Sequence, residues 1–123
     1  MDKEDLLSRT KRFALDIINF IDFLPQNNKG VIISRQILKS GTSVGANYRA
    51  ACRSKSKDDF IYKIKIVEEE ADETLFWLEI INEASFVSNQ LLRDLLKEAD
   101  ELTAIFTSIA KTSQIFKYKE SKS

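Results

Sequence analysis

The sequence predicts an all-α protein that folds as an antiparallel, up-down-up-down four-helix bundle. Three observations support this fold class. Four segments repeat apolar residues every three to four positions, which is the period of an α-helix. The 123 residues include only three glycines and one proline, so few turns are available and the elements must be long. The links between the segments are short, as expected for neighbouring helices in one domain that covers residues 1–123.

The first two predicted helices are separated by a proline and a polar link. The first helix ends at Pro25, and a link through Gly30 leads to a second helix that begins near Val31. The apolar face of the first helix consists of Leu6, Phe13, Ile17, Ile21 and Leu24. That of the second consists of Ile33, Ile37, Leu38, Val44 and Tyr48. This period continues through Gly41 and Gly45 without a change of phase, so we expect both glycines inside the helix.

The third and fourth predicted helices begin at polar capping residues. Ser56, with Asp59 three residues later, forms an approximate capping box for the third helix, and Ser88 is the expected N-cap of the fourth. The apolar face of the third helix contains Phe60, Ile64, Val67, Ala71, Leu75, Leu78 and Ile81. That of the fourth contains Leu91, Leu92, Leu95, Ala99, Leu102, Phe106 and Ile109. After Phe116 we expect a polar, frayed tail over residues 117–123.

Residue usage argues against an enzyme. The chain has no histidine, which removes the commonest general base and the commonest metal ligand. Its one cysteine, Cys52, excludes an intrachain disulfide and a metal site made of cysteines alone. The acidic run from Glu68 to Glu73 has the chemistry of a Mg²⁺ or Ca²⁺ site, but a solvated or partner-facing row is the favoured interpretation. We therefore expect no catalytic residue, no metal and no cofactor.

The location expected from the sequence is the cytoplasm. The first residues are charged, without an apolar stretch followed by a cleavage site. No apolar run is long enough to span a membrane. We expect no contact with membranes.

Gly41 and Gly45 pose a choice between a ligand-binding loop and a thin helix. Each glycine costs about 1 kcal/mol relative to alanine inside a helix, so a compensating contact is expected. A phosphate-binding loop would follow a strand and present free amides at a helix start, and neither feature is predicted here. We expect close packing with another helix, and we expect the basic residues nearby to be a separate feature on the neighbouring face.

Charge is strongly segregated although the net charge is zero. Residues 23–57 contain seven basic residues and no acid, whereas residues 58–83 contain nine acids and two lysines. One interpretation is that the cationic second helix and the anionic third helix attract each other, within or between subunits. The other is that the basic residues bind the phosphates of a nucleic acid. The residues alone favour the first interpretation.

One run, Gly41 to Ile81, resembles the central block of a bacterial family of helical bundles named after 23S ribosomal RNA intervening sequences. The similarity is carried by SGTSVGANYR, then by SKDDF, and then by EEADETLFWLE. The matching positions are Gly41, Ser43, Gly45, Asn47, Tyr48, Arg49, Glu69, Asp72, Glu73, Trp77 and Glu79. The chain departs from the family pattern at Ala50, where many members have Glu.

The resemblance implies a homo-oligomer, with a pentameric ring expected, because some family members are similar to pentameric barrels. Related retroelement accessory proteins form positively charged pentamers that bind nucleic acid and a reverse transcriptase. In a ring, the cationic face of one subunit meets the anionic face of the next. Phe76 and Trp77 cannot share one narrow helical stripe, so we expect a second apolar surface on the third helix.

The predicted function is a non-enzymatic, homo-oligomeric bundle that binds RNA or DNA through its second helix. The nucleic-acid-binding candidates are Arg35, Lys39, Arg49, Arg53, Lys55 and Lys57. The alternative is a protein–protein adaptor or scaffold whose charged faces serve subunit assembly. The candidates for helix packing or subunit contact are Gly41, Gly45, Asn47, Tyr48, Glu69, Asp72, Glu73 and Trp77.

Overall fold

The computed structural model describes residues 1–122, and this range contains four α-helices and no strand. The helices are α1 (Lys3–Phe20), α2 (Asn28–Cys52), α3 (Lys57–Glu83) and α4 (Gln90–Lys122). A short 3-10 helix, Ile21–Phe23, follows α1. The prediction of an all-α, four-helix fold is confirmed. The ring stays a prediction, since the structure is that of a single chain.

Each helix begins where a polar side chain accepts a hydrogen bond from an otherwise unpaired backbone N–H. Asp2 forms a reciprocal capping box at the start of α1, and Asn27 caps α2. Ser56 caps α3 as predicted, accepting a hydrogen bond of 3.0 Å from the N–H of Asp59. The prediction of Ser88 as the cap of α4 is wrong by one residue, because the Oδ1 of Asn89 accepts the N–H of Leu92 at 2.8 Å.

Three predicted helix boundaries also move. The first α-helix ends at Phe20, before the short 3-10 helix, rather than at Pro25. The second helix begins at Asn28 rather than near Val31, so Gly30 lies in its first turn instead of in the link. A β-carbon on Gly30 would lie 1.8 Å from the carbonyl oxygen of Pro25, so only glycine fits there. At the other end of the chain, α4 continues to Lys122 where a frayed tail was predicted. The prediction for residue 123 lies outside the described residues.

The helices pack in chain order, α1 on α2, α2 on α3 and α3 on α4, with a less extensive contact closing the bundle between α1 and α4. One apolar core runs through all four helices, and Phe13, Phe20 and Phe106 are among its largest fully buried side chains. Arg9 joins α1 to α4 through hydrogen bonds to Glu98, which raise the pKa of Arg9.

Gly41 and Gly45 lie inside α2, as predicted, and the helix that approaches them is α1 of the same chain. A β-carbon on Gly41 would lie 2.8 Å from Cγ1 of Ile17, and one on Gly45 would lie 3.1 Å from the carbonyl oxygen of Thr10. The two contacts run in opposite directions along α1 and α2, as an antiparallel pair requires. The glycines therefore allow α1 and α2 to approach closely.

The opposite side of α2 is joined to α3 by a buried polar contact. The hydroxyls of Ser40 and Thr74 are both fully buried, and a hydrogen bond of 2.9 Å connects them. The Thr74 hydroxyl also lies 2.8 Å from the carbonyl oxygen of Glu70. The two hydroxyls thus fix the register of α2 against α3 inside an otherwise apolar interface.

Candidate nucleic-acid interface

A groove runs between α1 and the C-terminal half of α2, with a volume of about 640 Å³. Small residues from both helices line it, among them Ala14, Gly45 and Ala46. The four basic residues that line it are Lys3, Lys11, Arg49 and Arg53. The expectation that the glycines and the basic residues are separate features is corrected here, because Gly45 and Arg49 line the same groove. We call it the α1–α2 groove.

A second cavity, of about 710 Å³, lies where α2 ends, α3 begins and the last turns of α4 pass. We call it the end pocket. The four lysines that line it are Lys3, Lys55, Lys57 and Lys117. Lys3 and Cys52 line both cavities, so the end pocket and the α1–α2 groove adjoin.

The residues that line the two cavities include seven basic and two acidic side chains. The acids are Glu4 and Glu120. We call the seven basic residues the basic end: Lys3, Lys11, Arg49, Arg53, Lys55, Lys57 and Lys117. The fold thus concentrates positive charge around one concave region of a chain whose net charge is zero.

Ion pairs neutralise the acids that lie beside the end pocket. Asp58 is 2.6 Å from the Nζ of Lys117. Asp59 accepts a hydrogen bond of 2.9 Å from Lys63, which holds the pKa of the Asp59 carboxyl below its usual range. Lys57 pairs with Glu120. No ion pair among residues 1–122 uses the other five members of the basic end: Lys3, Lys11, Arg49, Arg53 and Lys55.

The structure divides the six nucleic-acid-binding candidates into two groups. The group that belongs to the basic end consists of Arg49, Arg53, Lys55 and Lys57. Arg35 and Lys39 are exposed on α2 but line neither cavity. Arg35 precedes Arg49 by nearly four turns, about 21 Å along the helix. Only the Arg49 and Arg53 part of the basic stripe expected from the sequence therefore lines a cavity, and the use of the whole stripe stays a prediction.

Three members of the basic end were missed in the sequence. Lys3 and Lys11 are on α1, and Lys117 is in the segment expected to be frayed. All three are far from Arg49 along the chain, and no local motif connects them to it. Only the packing of α1 and α4 around the end of α2 brings them together.

The helix-packing candidates on α2 beyond the glycines contact their own bundle. Tyr48 is buried, and its ring centroid lies 5.2 Å from that of Phe106, so it is a core residue and does not stack on a base. Burial, followed by a hydrogen bond with Cys52, raises the pKa of Tyr48. The Nδ2 of Asn47 donates a 2.9 Å hydrogen bond to the Ser43 carbonyl within α2.

The candidates on α3 form an exposed acidic strip beside a half-buried tryptophan. Glu69, Asp72 and Glu73 are exposed, and Glu73 accepts a 3.3 Å hydrogen bond from the Nε1 of Trp77. Trp77 packs against the core, edge-on to Phe76, whose side chain is 51% exposed. Of Phe76 and Trp77, only Phe76 is therefore well exposed. Contact of this strip with another subunit stays a prediction.

Attraction between α2 and α3 does not take the form of ion pairs within the chain. The two helices are neighbours, but no salt bridge joins them among the described residues. Lys39 of α2 interacts electrostatically with Glu70 of α3. Burial and the neighbouring acids Glu73 and Glu69 raise the pKa of Glu70, and Lys39 opposes that rise. The charged faces of α2 and α3 are thus directed mainly outward.

Within residues 1–122, no cluster of three or more acidic or cysteine side chains is arranged to hold a metal ion. None of the helices in that range is both long enough and apolar enough to cross a membrane.

Comparison with known proteins agrees with this architecture. The family model described as 23S rRNA-intervening sequence protein matches residues 3–108. A crystal structure of a protein of unknown function from the S23 ribosomal protein family of Bacteroides thetaiotaomicron has a TM-score of 0.80 and 34% sequence identity. The match covers 90% of this chain and 99% of that one. None of the curated proteins is significantly similar to the chain. On the extent of the family match, the chain belongs to the 23S rRNA-intervening sequence protein family.

Proposed function

We propose that the protein is a non-enzymatic nucleic-acid-binding protein and that the basic end contacts the phosphates of RNA or DNA. The single observation that supports this most strongly is the gathering of seven basic side chains, from all four helices and the α2–α3 link, around two adjoining cavities. Five of the seven are in no ion pair among residues 1–122, so they are available to phosphate. Such a protein would act in the cytoplasm.

A charge-reversal pair tests the proposal against a matched control on the same helix. Arg49→Glu with Arg53→Glu reverses two members of the basic end, whereas Arg35→Glu with Lys39→Glu makes the same change in charge outside it. We expect the first double variant to lose at least about 10-fold in affinity for a labelled oligonucleotide at low salt, and the control to lose clearly less. The affinities are measured by fluorescence anisotropy.

All four positions are exposed, so both double variants should melt close to the parent temperature. If both double variants lost the same affinity for the oligonucleotide, total charge rather than the basic end would determine binding. If the parent protein did not bind the oligonucleotide at low salt, the proposal would be contradicted.

A second candidate function is a scaffold that assembles from copies of the chain, expected from the resemblance to form a pentamer. The supporting observation is that α3 presents exposed acids beside Phe76, while apolar side chains are exposed on α1 and α2. The exposed apolar residues on α1 and α2 are Leu15, Ile18, Val31 and Ile32. A head-to-tail contact between these faces would cover both, and a closed ring is one outcome of such a contact.

Light scattering separates the two candidates. If charged faces hold the subunits together, Arg49→Glu with Arg53→Glu should dissociate the oligomer, as should Asp72→Lys on the acidic strip. An oligomer that survives the arginine changes while RNA binding is lost would favour nucleic-acid binding. A monomeric parent protein would remove the scaffold candidate.

A further inference from the structure

We propose that the end pocket holds an unpaired nucleotide base, so that the basic end binds single-stranded nucleic acid in preference to a duplex. This inference rests on the proposed function, because it names the kind of nucleic acid that the basic end would take. It is carried by three features of the end pocket: an exposed aromatic ring, a buried hydroxyl without a partner, and a direct connection to the α1–α2 groove.

The first feature is an apolar wall with an aromatic ring at its edge. Phe60 and Ile61 from the first turns of α3 are half-buried and line the end pocket, as does the buried Ala51 of α2. Phe116 of α4 lines the same pocket but is 62% exposed. An exposed aromatic ring among lysines is the arrangement on which unpaired bases stack, because every base has an aromatic face.

The second feature is the hydroxyl of Ser54. Ser54 lines the end pocket, and its Oγ is buried without a hydrogen-bond partner among the described residues. A buried hydroxyl without a partner is uncommon in folded proteins, and a water molecule or a ligand can supply the hydrogen bond that it lacks. The edge of a nucleotide base carries both donors and acceptors, so it is one such ligand.

The third feature is the path that the two cavities form. Because Lys3 and Cys52 line both, a strand with one base in the end pocket can continue along the α1–α2 groove. Arg49 and Arg53 in that groove then face its phosphates. The end pocket, at about 710 Å³, is within the size range of pockets that enclose small ligands. The stacked and paired bases of a duplex cannot enter it without being flipped out.

The experiment compares one labelled RNA strand, alone and annealed to its complement, with the parent protein and three variants. We expect the parent to bind the single strand more tightly than the duplex. We expect Phe116→Ala to lose about 10-fold in affinity for the single strand and less than about twofold for the duplex. Phe116→Tyr, which keeps the ring, should retain most of the single-strand affinity.

The matched control is Phe23→Ala, which removes a phenylalanine ring of similar exposure, 57%, from the 3-10 helix after α1, at a position that lines neither cavity. It should bind both nucleic acids as the parent does. Circular dichroism melting checks that Phe116→Ala remains folded, as its exposure predicts.

The outcomes distinguish this inference from the proposed function. The inference fails if the parent binds duplex as tightly as single strand, or if Phe116→Ala weakens both equally or neither. In each case the proposal that the basic end binds phosphate is still supported if Arg49→Glu with Arg53→Glu abolishes binding. If the parent binds neither nucleic acid at low salt, the proposed function fails, and the inference fails with it.

Discussion

Basic residues lie in both halves of α2 and at its C-cap, Arg53, but their surroundings differ. In the first half, Arg35 and Lys39 are exposed to solvent and line neither cavity. In the second half, Arg49 and Arg53 border a groove into which α1 contributes further basic side chains. Charge alone therefore does not identify a binding surface, whereas charge combined with a concave shape distinguishes the two halves.

The inward faces of the two halves differ as well. Around Gly41, α2 is fully packed, with Ile17 of α1 on one side and the Ser40–Thr74 hydrogen bond on the other. At Gly45 the helices are still close, but the residue also lines the α1–α2 groove. We infer that changes in the first half act mainly on stability and that changes in the second half act mainly on binding.

The largest expected effect on stability comes from adding a methyl group to Gly30, and the other two glycines of α2 should respond less. Gly30→Ala places the new carbon 1.8 Å from the backbone oxygen of Pro25, so the chain must move, at a cost of about 3 kcal/mol. In Gly41→Ala the contact is with the buried side chain of Ile17, and the gain in helix propensity, about 1 kcal/mol, partly offsets it. Gly45→Ala should leave the stability nearly unchanged, because the gain in helix propensity offsets the 3.1 Å contact with the carbonyl oxygen of Thr10.

Chemical denaturation of the three variants checks this order. The same substitution is made in the same helix each time, so differences in intrinsic propensity largely cancel. A Gly30→Ala protein as stable as the parent would contradict the packing assigned to the start of α2.

A smaller effect is expected from the buried hydroxyl pair. Thr74→Val keeps the shape of the side chain but removes its hydrogen bonds to Ser40 and to the Glu70 carbonyl. We expect a loss of about 1 to 2 kcal/mol in the free energy of unfolding. Thr107→Val is the control, because its hydroxyl bonds to Glu68 at an exposed position on α4. Equal losses in the two variants would show that burial of the Ser40–Thr74 contact adds nothing.

The smallest effect concerns pH. Burial, followed by the neighbouring acids, raises the pKa of Glu70 in the folded protein. The folded state therefore binds the proton more tightly than the unfolded state, so this group favours folding at acid pH and loses that contribution as pH rises through its folded pKa. Glu70→Gln should therefore stabilise the protein at pH 7 by less than about 0.5 kcal/mol.

That advantage of Glu70→Gln should vanish as the pH falls below the usual pKa of a glutamate. Melting temperatures of the variant and the parent, measured from pH 3 to pH 8, check the sign of this difference in stability. A variant that is less stable than the parent at pH 7 would show that the attraction between Glu70 and Lys39 outweighs the cost of burial.

The fold could be predicted from the sequence because its main signals are local. The 3.6-residue period places Ile37, Val44 and Tyr48 on the buried face of α2, and all three are buried. Caps are local as well, and Ser56 was assigned correctly. The error at Ser88 arose because Ser88 and Asn89 are both good capping residues, and the local pattern does not choose between them.

The candidate site could be predicted only in part. The sequence identified Arg49 and Arg53 through the segregation of charge, but it grouped them with Arg35 and Lys39. Which of these residues borders a groove depends on how α1 and α4 pack around the end of α2. Lys3 and Lys117 join the site through that packing alone, since they lie at opposite ends of the chain.

The measurement that tests the central claim most directly is the salt dependence of nucleic-acid affinity for the parent, the Arg49→Glu/Arg53→Glu variant and the Arg35→Glu/Lys39→Glu control. Affinity should fall steeply with salt, by about 0.7 log units per tenfold increase for each contacted phosphate of a single strand. The slope should become shallower in the first variant and remain close to that of the parent in the control. A flat dependence in the parent, or the same slope in both variants, would contradict the assignment of phosphate binding to the basic end.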